Sequence, residues 1–262
     1  MRRRRPPRAW IGPARPVDPA DLLGPRGLTD AVLRGEGLED ERVRHPADSA
    51  ETDFYWSLLT PERQSRILSV IDARLASLTV VLDRFVDPHN TAAILRTAEA
   101  LGLSRAHTVP HESGDDGAAH RRVTQDAHKW LDLEPHPTGA ACAAALGERG
   151  FEVWAGHLDD EARLYTDLPA DRPVALLFGN EHEGPSADTL AACAGTFRIP
   201  MAGFTQSFNV SVAAGIALAH LARARRAHLG RAGDLSQAER VQLKARFTLL
   251  AAKLARRVKS RC

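Results

Sequence analysis

The feature of this sequence that most constrains its fold is an alternation of short apolar runs with stretches of helical period. The apolar runs are predicted strands at residues 78–82, 106–109, 130–133, 151–155, 174–178 and 197–200. Helical patterns lie at residues 60–76, 91–101, 138–149, 186–192 and 209–228. Strands that alternate with helices are typical of a parallel sheet covered on both faces. We therefore expect an α/β protein with a mainly parallel sheet and helices on both sides.

Composition places the chain among ordinary folded proteins. Hydrophobic residues make up 44% and charged residues 26% of its 262 residues, which excludes collagen-like and wholly disordered classes. Cys142, Cys193 and Cys262 lie far apart and form no C-x-x-C pair, so we expect neither a disulfide framework nor a structural zinc site.

No apolar run approaches the roughly 18 residues of a membrane helix, and prolines interrupt the segment after residues 2–5 where a signal peptide would be apolar. We expect a cytoplasmic protein without membrane contact.

The chain divides into four predicted segments. Residues 1–52 contain seven prolines, five glycines and a basic run, and we expect them to be a disordered extension. Residues 53–77 form a helical extension, in which Thr60 and Pro61 open a helix that carries Arg63, Arg66 and Arg74 on one face. Residues 78–229 are the main domain, and residues 230–262 are a basic helical extension.

Positive charge is concentrated at the end of the chain. The net charge is only +2, but residues 221–262 contain 12 Lys or Arg and two Asp or Glu. A basic arm of this kind favours a nucleic acid as partner, because phosphates are the commonest ligands of such arms. An overall preference for arginine, with 31 Arg against four Lys, is the alternative source of part of this excess.

Three polar loops follow predicted strands, at residues 85–91, 178–186 and 199–212. Ligands of α/β proteins bind at the carboxyl ends of strands, so these loops are the candidate site. Taken alone each pattern is weak, since an asparagine commonly caps a helix and glycines commonly form turns. No P-loop, G-x-G-x-x-G, G-x-S-x-G or H-E-x-x-H pattern occurs. Five histidines between His107 and His136 fit no ligand spacing, and we expect no catalytic metal.

Together, in order and spacing, the three loops resemble the motifs of the TrmH family of SPOUT RNA methyltransferases. The matching stretches are residues 88–98, residues 177–184, and residues 199–201 with 206–213. The resemblance covers about residues 60–229. It implies a deep trefoil knot in the C-terminal part of the domain, an exception to the general absence of knots.

The resemblance also implies an activity and its residues. A homodimer with active sites built from both subunits would use S-adenosyl-L-methionine to methylate a ribose 2′-hydroxyl in structured RNA. The residues implied to be catalytic are Asn90, Arg96, Glu181, Ser207 and Asn209. Those implied to bind the cofactor are Gly179, Gly184, Ile199, Met201 and Val210. The family assigns activation of the hydroxyl to Arg96, but a guanidinium is a poor base, and we favour a role in binding phosphate and stabilising the oxyanion.

Substrate choice rests on the extensions. Short helical extensions and the His128-Lys129-Trp130 stretch resemble the tRNA guanosine-18 branch of the family, which favours the D-loop guanosine of tRNA. The residues expected to contact RNA are Arg63, Arg66, Arg74, His89 and Lys129. Two residues of this stretch have alternative roles that do not involve RNA: Trp130 would pack in the core, and Lys129 would be a solvated surface charge. Methylation of ribosomal RNA is the nearest alternative function, and a catalytically inactive RNA-binding protein is a less favoured one.

Overall fold

The computed structural model describes residues 50–111 and 129–259. Nearly all of the expected N-terminal disordered segment lies outside the described residues. The predicted boundary at residue 52 falls inside a helix that begins at Ala50.

A single sheet of seven parallel strands organises the described part of the chain. The strands are β1 Leu78–Asp83, β2 Arg105–Val109, β3 Asp132–Pro135, β4 Glu152–Gly156, β5 Arg163–Leu164, β6 Val174–Phe178 and β7 Gly195–Arg198. Their order across the sheet is β3-β2-β1-β6-β4-β7-β5, and every pairing is parallel. The predicted α/β class with a mainly parallel sheet is confirmed. The trefoil knot stays a prediction.

Seven α-helices and one 3₁₀ turn, Tyr165–Asp167, connect and flank the strands in the described residues. The α-helices are α1 Ala50–Ser57, α2 Pro61–Asp72, α3 Pro88–Ala100, α4 Gly139–Glu148, α5 Ala187–Ala191, α6 Val210–Leu229 and α7 Gln237–Lys259. Side chains of Thr60, Asp87, Thr138, Ser186 and Asn209 cap helix N-termini, as residues of these types commonly do. No helix within these residues combines the length and apolar character needed to cross a membrane.

Both faces of the sheet are buried at its centre, which explains the continuous apolar strands there. Every residue of β1 and β6 is buried. Alternate side chains of these strands, such as Val80 and Leu176, join a core under α3 and α6. Their neighbours Val81 and Leu177 point the opposite way and form a second core with α4. The sheet is therefore the middle layer of three.

The two extensions form a third core of their own. Ile67 and Ile71 of α2 pack against Leu235 and against Phe247 of α7. Trp130 meets Phe247 edge to face, with ring centroids 5.2 Å apart. Trp130 thus takes the core-packing role that was its alternative, and the segments before and after the main domain pack as one unit.

Arg74 corrects one prediction of an RNA contact. Helix α2 ends at Asp72, so Arg74 follows its C-terminus and turns inward instead of extending its outer face. Its side chain is 1% exposed, and the guanidinium bonds Glu99 at 2.9 Å and the Leu103 carbonyl at 2.6 Å. Burial lowers the pKa of Arg74, and Glu99 opposes this shift. The prediction that Arg74 binds RNA is wrong, because its guanidinium is buried and both Nη atoms donate to groups inside the protein.

Other arginines of the basic C-terminal segment also have internal partners. Arg226 of α6 is buried and donates to the carbonyls of Ala73, Leu101 and Ala232 at 2.7–2.9 Å. Burial lowers the pKa of Arg226 to about 10. Arg246 donates to the Leu131 carbonyl at 2.7 Å, and Arg240 pairs with Asp72. The charge excess of residues 221–262 thus overstates the positive charge that is available to a nucleic acid.

We expect Arg226→Met to lower the free energy of unfolding by about 3–5 kcal/mol, because three half-buried carbonyls lose their common charged donor. Urea denaturation followed by circular dichroism measures this change. Arg223→Met on the exposed side of the same helix is the control, with an expected change within about 0.5 kcal/mol. Equal effects of the two substitutions would contradict a structural role for Arg226.

Candidate active site

The three polar loops meet at one edge of the sheet because the strands before them are parallel and close together. β1 and β6 are neighbours, and Leu82 pairs with Phe178 just before the first and second loops. The third loop leaves β7 and leads into α6, which packs against α3. Helix α3 begins with the first loop, so this packing brings the start of α6 towards the start of α3.

A cavity of about 590 Å³ lies between these loops. Nine of the ten residues predicted to be catalytic or cofactor-binding line it: Asn90, Gly179, Glu181, Gly184, Ile199, Met201, Ser207, Asn209 and Val210. Phe178 and Phe197 form part of its apolar wall. A volume of this size is typical of sites for small molecules, which combine apolar walls with a few convergent polar groups.

A chain of hydrogen bonds with a fixed direction joins the three loops. The Asn90 side-chain amide donates to Glu181 at 3.0 Å, and the Asn209 amide donates to the Asn90 side-chain oxygen at 3.0 Å. The Asn209 oxygen in turn accepts from the backbone N–H of Ser211 at 2.9 Å. A carboxylate only accepts and a backbone N–H only donates, so both ends determine which way the two amides point.

Glu181 also holds the backbone of the first loop. Its carboxylate accepts from the N–H groups of Val86 and Asp87 at 3.3 and 3.4 Å. With Asn90, one carboxylate thus receives three donors from the segment that opens α3. Removing it would leave the first loop without its main polar contact to the second.

The second loop is compact because its residues bond one another. The Asn180 side-chain oxygen accepts from the N–H groups of His182 and Glu183 at 2.8 and 3.2 Å. A Cβ on Gly179 would lie 2.2 Å from the Pro185 nitrogen, so only glycine fits there. Gly184 has a φ of +69°, a conformation that glycine adopts without strain.

Arg84 is a residue of this site that the sequence did not reveal. It is the one non-glycine residue of the described segments with positive φ, at +57°. Its carbonyl accepts from the Asn180 amide at 2.9 Å, and its guanidinium bonds the Gly184 carbonyl at 3.1 Å. Arg84 therefore ties the end of β1 to both ends of the second loop. An arginine after a strand carries no signal of such a role.

The loop after β4 is a second part of the site that was missed. Gly156 at the end of β4 and His157 and Leu158 after it line the cavity. Their position at the carboxyl end of a strand is the signal that could have identified them.

The remaining predicted residues lie outside the cavity lining. Arg96 is on the exposed side of α3, about one and a half turns after Asn90. Arg63 and His89 are exposed, while Arg66 and Lys129 are half-buried. The structure thus brings together the polar residues of the three loops and leaves the basic residues on the surrounding surface, with Arg74 as the buried exception.

Comparison with known proteins identifies relatives of this chain. Residues 77–219 match the profile of the family described as SpoU rRNA Methylase. The tRNA (guanosine(18)-2′-O)-methyltransferase of Thermus thermophilus is 40% identical over 166 residues, which cover 63% of this chain and 84% of that protein.

Solved structures give a similar result. The TrmH/SpoU tRNA modifying enzyme of A. aeolicus is 30% identical, has a TM-score of 0.65, and matches 72% of this chain and 96% of its own. The AdoMet-bound rRNA methyltransferase of Sinorhizobium meliloti is 29% identical with a TM-score of 0.50, over 61% of this chain and 60% of its own. Since the matched profile spans more than half of the sequence and includes all three loops, the chain belongs to the SpoU methylase family.

Proposed function

We propose that this protein transfers the methyl group of S-adenosyl-L-methionine to a ribose 2′-hydroxyl of tRNA, with guanosine 18 of the D-loop as its target. The observation that carries the proposal is the convergence of nine predicted site residues on one cavity. We further propose that it acts as a homodimer in the cytoplasm, without a catalytic metal.

The cavity fits S-adenosyl-L-methionine in size and in chemistry. Apolar residues such as Ile199, Met201 and Val210 offer a surface for an adenine ring, and the polar ends of Asn90 and Asn209 lie at the same cavity. The tight turn at Gly179 keeps the loop backbone against the cavity wall. The sulfonium of the cofactor supplies an activated methyl group when it is bound. The AdoMet complex of the Sinorhizobium relative supports this assignment.

The residues of this chain would position the ribose and stabilise developing charge. Transfer to oxygen requires alignment of the hydroxyl with the methyl carbon, and the fixed amides of Asn90 and Asn209 are suited to such positioning. The hydroxyl proton must also leave or the alkoxide be stabilised. We assign to Arg96 the binding of a neighbouring phosphate and stabilisation of the oxyanion, because a guanidinium is a cation with several N–H donors suited to both tasks.

Coverage of the relatives favours tRNA over ribosomal RNA as the substrate. The matched region of the A. aeolicus tRNA enzyme extends over 96% of that protein, whereas the Sinorhizobium rRNA enzyme is matched over 60%. This chain therefore resembles the tRNA enzyme over almost that enzyme's whole length. Arg63, Arg66, His89 and Lys129 remain proposed RNA contacts.

Exposed apolar side chains around the cavity support the homodimer. Phe204 of the third loop is fully exposed, and Leu158, Phe208 and Val212 expose 40–63% of their surface. Phe208 and Leu158 line the cavity itself. Large apolar side chains grouped at a site are typical of a surface that another chain covers. A second copy would cover this region and contribute to the site, as the family resemblance implies.

We expect the purified full-length protein to transfer label from S-adenosyl-L-methionine to unmodified tRNA, and mapping to place the methyl group on the ribose of guanosine 18. If ribosomal RNA is labelled in a parallel reaction and tRNA is not, the proposed methyl transfer stands and the proposed tRNA substrate is wrong. Failure to bind the cofactor in isothermal titration would overturn the proposed activity itself and favour an inactive RNA-binding protein.

We expect Arg96→Ala to reduce methyl transfer by roughly 100-fold or more, as does the loss of an oxyanion donor in other enzymes. Affinity for S-adenosyl-L-methionine should change little, because Arg96 does not line the cavity. Steady-state kinetics and isothermal titration separate the two effects. Arg172→Ala, near the amino end of β6, is the control and should retain activity. Retention of most activity by Arg96→Ala would contradict its assignment.

We expect Glu181→Ala to lower kcat by roughly 10-fold to 100-fold, because three donors of the first loop lose a charged acceptor. Glu148→Ala, at the exposed end of α4, is the matched control. Far-ultraviolet circular dichroism should be unchanged in both variants. A kcat equal to that of the Glu148 variant would show that the hydrogen-bond chain is not needed for turnover.

A further inference from the structure

A second group of chemically active side chains lies on the sheet face under α4, and none of its members lines the active-site cavity. His107 of β2 and Cys142 of α4 are completely buried, and His136, just after β3, is half-buried. One ligating atom from each of the three lies within 4.8 Å of the other two. Two imidazoles and a thiol thus converge from three different elements.

The polar atoms of this group are incompletely satisfied. Nδ1 of His107 lies 3.0 Å from Nε2 of His136, a distance at which one ring nitrogen donates a hydrogen bond to the other. Nε2 of His107 is buried without a hydrogen-bond partner. Such an unpaired nitrogen is costly in a protein interior. Because Nδ1 is the His107 nitrogen that faces His136, Nδ1 is the candidate metal ligand, and Nε2 lies outside the proposed coordination.

We propose that His107, His136 and Cys142 bind one divalent transition-metal ion, with zinc as the first candidate. Nitrogen and sulfur donors select borderline ions of this class over magnesium or calcium. This site is independent of the proposed methyl transfer. The cysteine spacing in the sequence predicts no zinc site, because the donors are distant in the chain and meet only through the fold.

The separations of the donors suit a tetrahedral ion. Zinc bonds of about 2.0–2.3 Å place neighbouring donors about 3.3–3.8 Å apart. The separation of 3.0 Å between Nδ1 of His107 and Nε2 of His136 and the 4.8 Å limit for the whole group therefore differ from that spacing by at most about 1.5 Å. Side-chain rotations are sufficient for such a change, and no strand or helix has to move.

Glu134 is the nearest candidate for a fourth ligand. Its carboxylate lies 3.5 Å from Nδ1 of His107, at the edge strand β3. It also pairs with Arg149 at 2.9 Å, so it would have to turn from that guanidinium to reach the metal. A thiolate and a carboxylate together balance the two positive charges of the ion, which makes its burial less costly.

The test is metal binding by the full-length protein, with a matched pair of cysteine variants. We expect about one equivalent of zinc per chain after incubation and dialysis, measured by elemental analysis. Cobalt(II) should give a thiolate-to-cobalt charge-transfer band. Cys142→Ala and His136→Gln should abolish the band and weaken zinc binding. Loss of a residue that only supports a metal ligand costs about 10–100-fold in affinity, and loss of a ligand should cost more. Cys193→Ala should retain both, because Cys193 is outside the group.

Two results would overturn the proposal. One is a wild-type protein that binds zinc no better than the Cys142→Ala variant, which would leave His107 and His136 as a hydrogen-bonded pair. The other is loss of cobalt absorption in Cys193→Ala but not in Cys142→Ala. Circular dichroism identifies any variant that does not fold, and the half-buried position of His136 makes His136→Gln the substitution that disturbs the core least.

Discussion

The acceptor-only character of the Glu181 carboxylate is the constraint on which the site depends. It requires the Asn90 amide to present its N–H group, which leaves the Asn90 oxygen to accept from Asn209. The N-terminus of α6 completes this series of hydrogen bonds from the other side, since the Ser211 N–H donates to the Asn209 side-chain oxygen. Three loops that are far apart in the chain are thus held in one relative arrangement, and the orientation of each amide follows from its neighbours.

The sheet makes this arrangement possible. Placing β6 beside β1 brings two loops that are about 90 residues apart to the same edge. Helix α6 lies against α3 over a shared apolar core, which sets Asn209 within reach of Asn90. Arg84 adds a second connection between the same two strands, through the Asn180 amide and the Gly184 carbonyl. The cavity is therefore built by packing of rigid elements, and the polar contacts determine its details.

Much of this organisation could be predicted from the sequence, and the failures have definite physical causes. Apolar strands and helix caps are local signals, so most elements lie within a few residues of their predicted positions, although β5 is too short to produce a pattern. The three loops were found because their polar residues are unusual after buried strands. Charge, in contrast, does not reveal burial: Arg74 and Arg226 satisfy carbonyls inside the fold, while the count of basic residues suggested a nucleic-acid surface. The donors around His107 likewise have no pattern in the chain, because only the sheet and α4 bring them together.

The packing of α2 against α7 affects the order in which the protein can fold. Helix α2 precedes the whole sheet, whereas its partner helix is the last element described, more than 160 residues later. During synthesis the apolar face of Ile67 and Ile71 therefore lacks part of its native cover until the ribosome has produced Phe247. Contacts of such long sequence separation form late, because the intervening chain must first be ordered. We therefore expect the sheet to form before the two extensions join, with part of the apolar face of α2 exposed in the newly made chain during that interval.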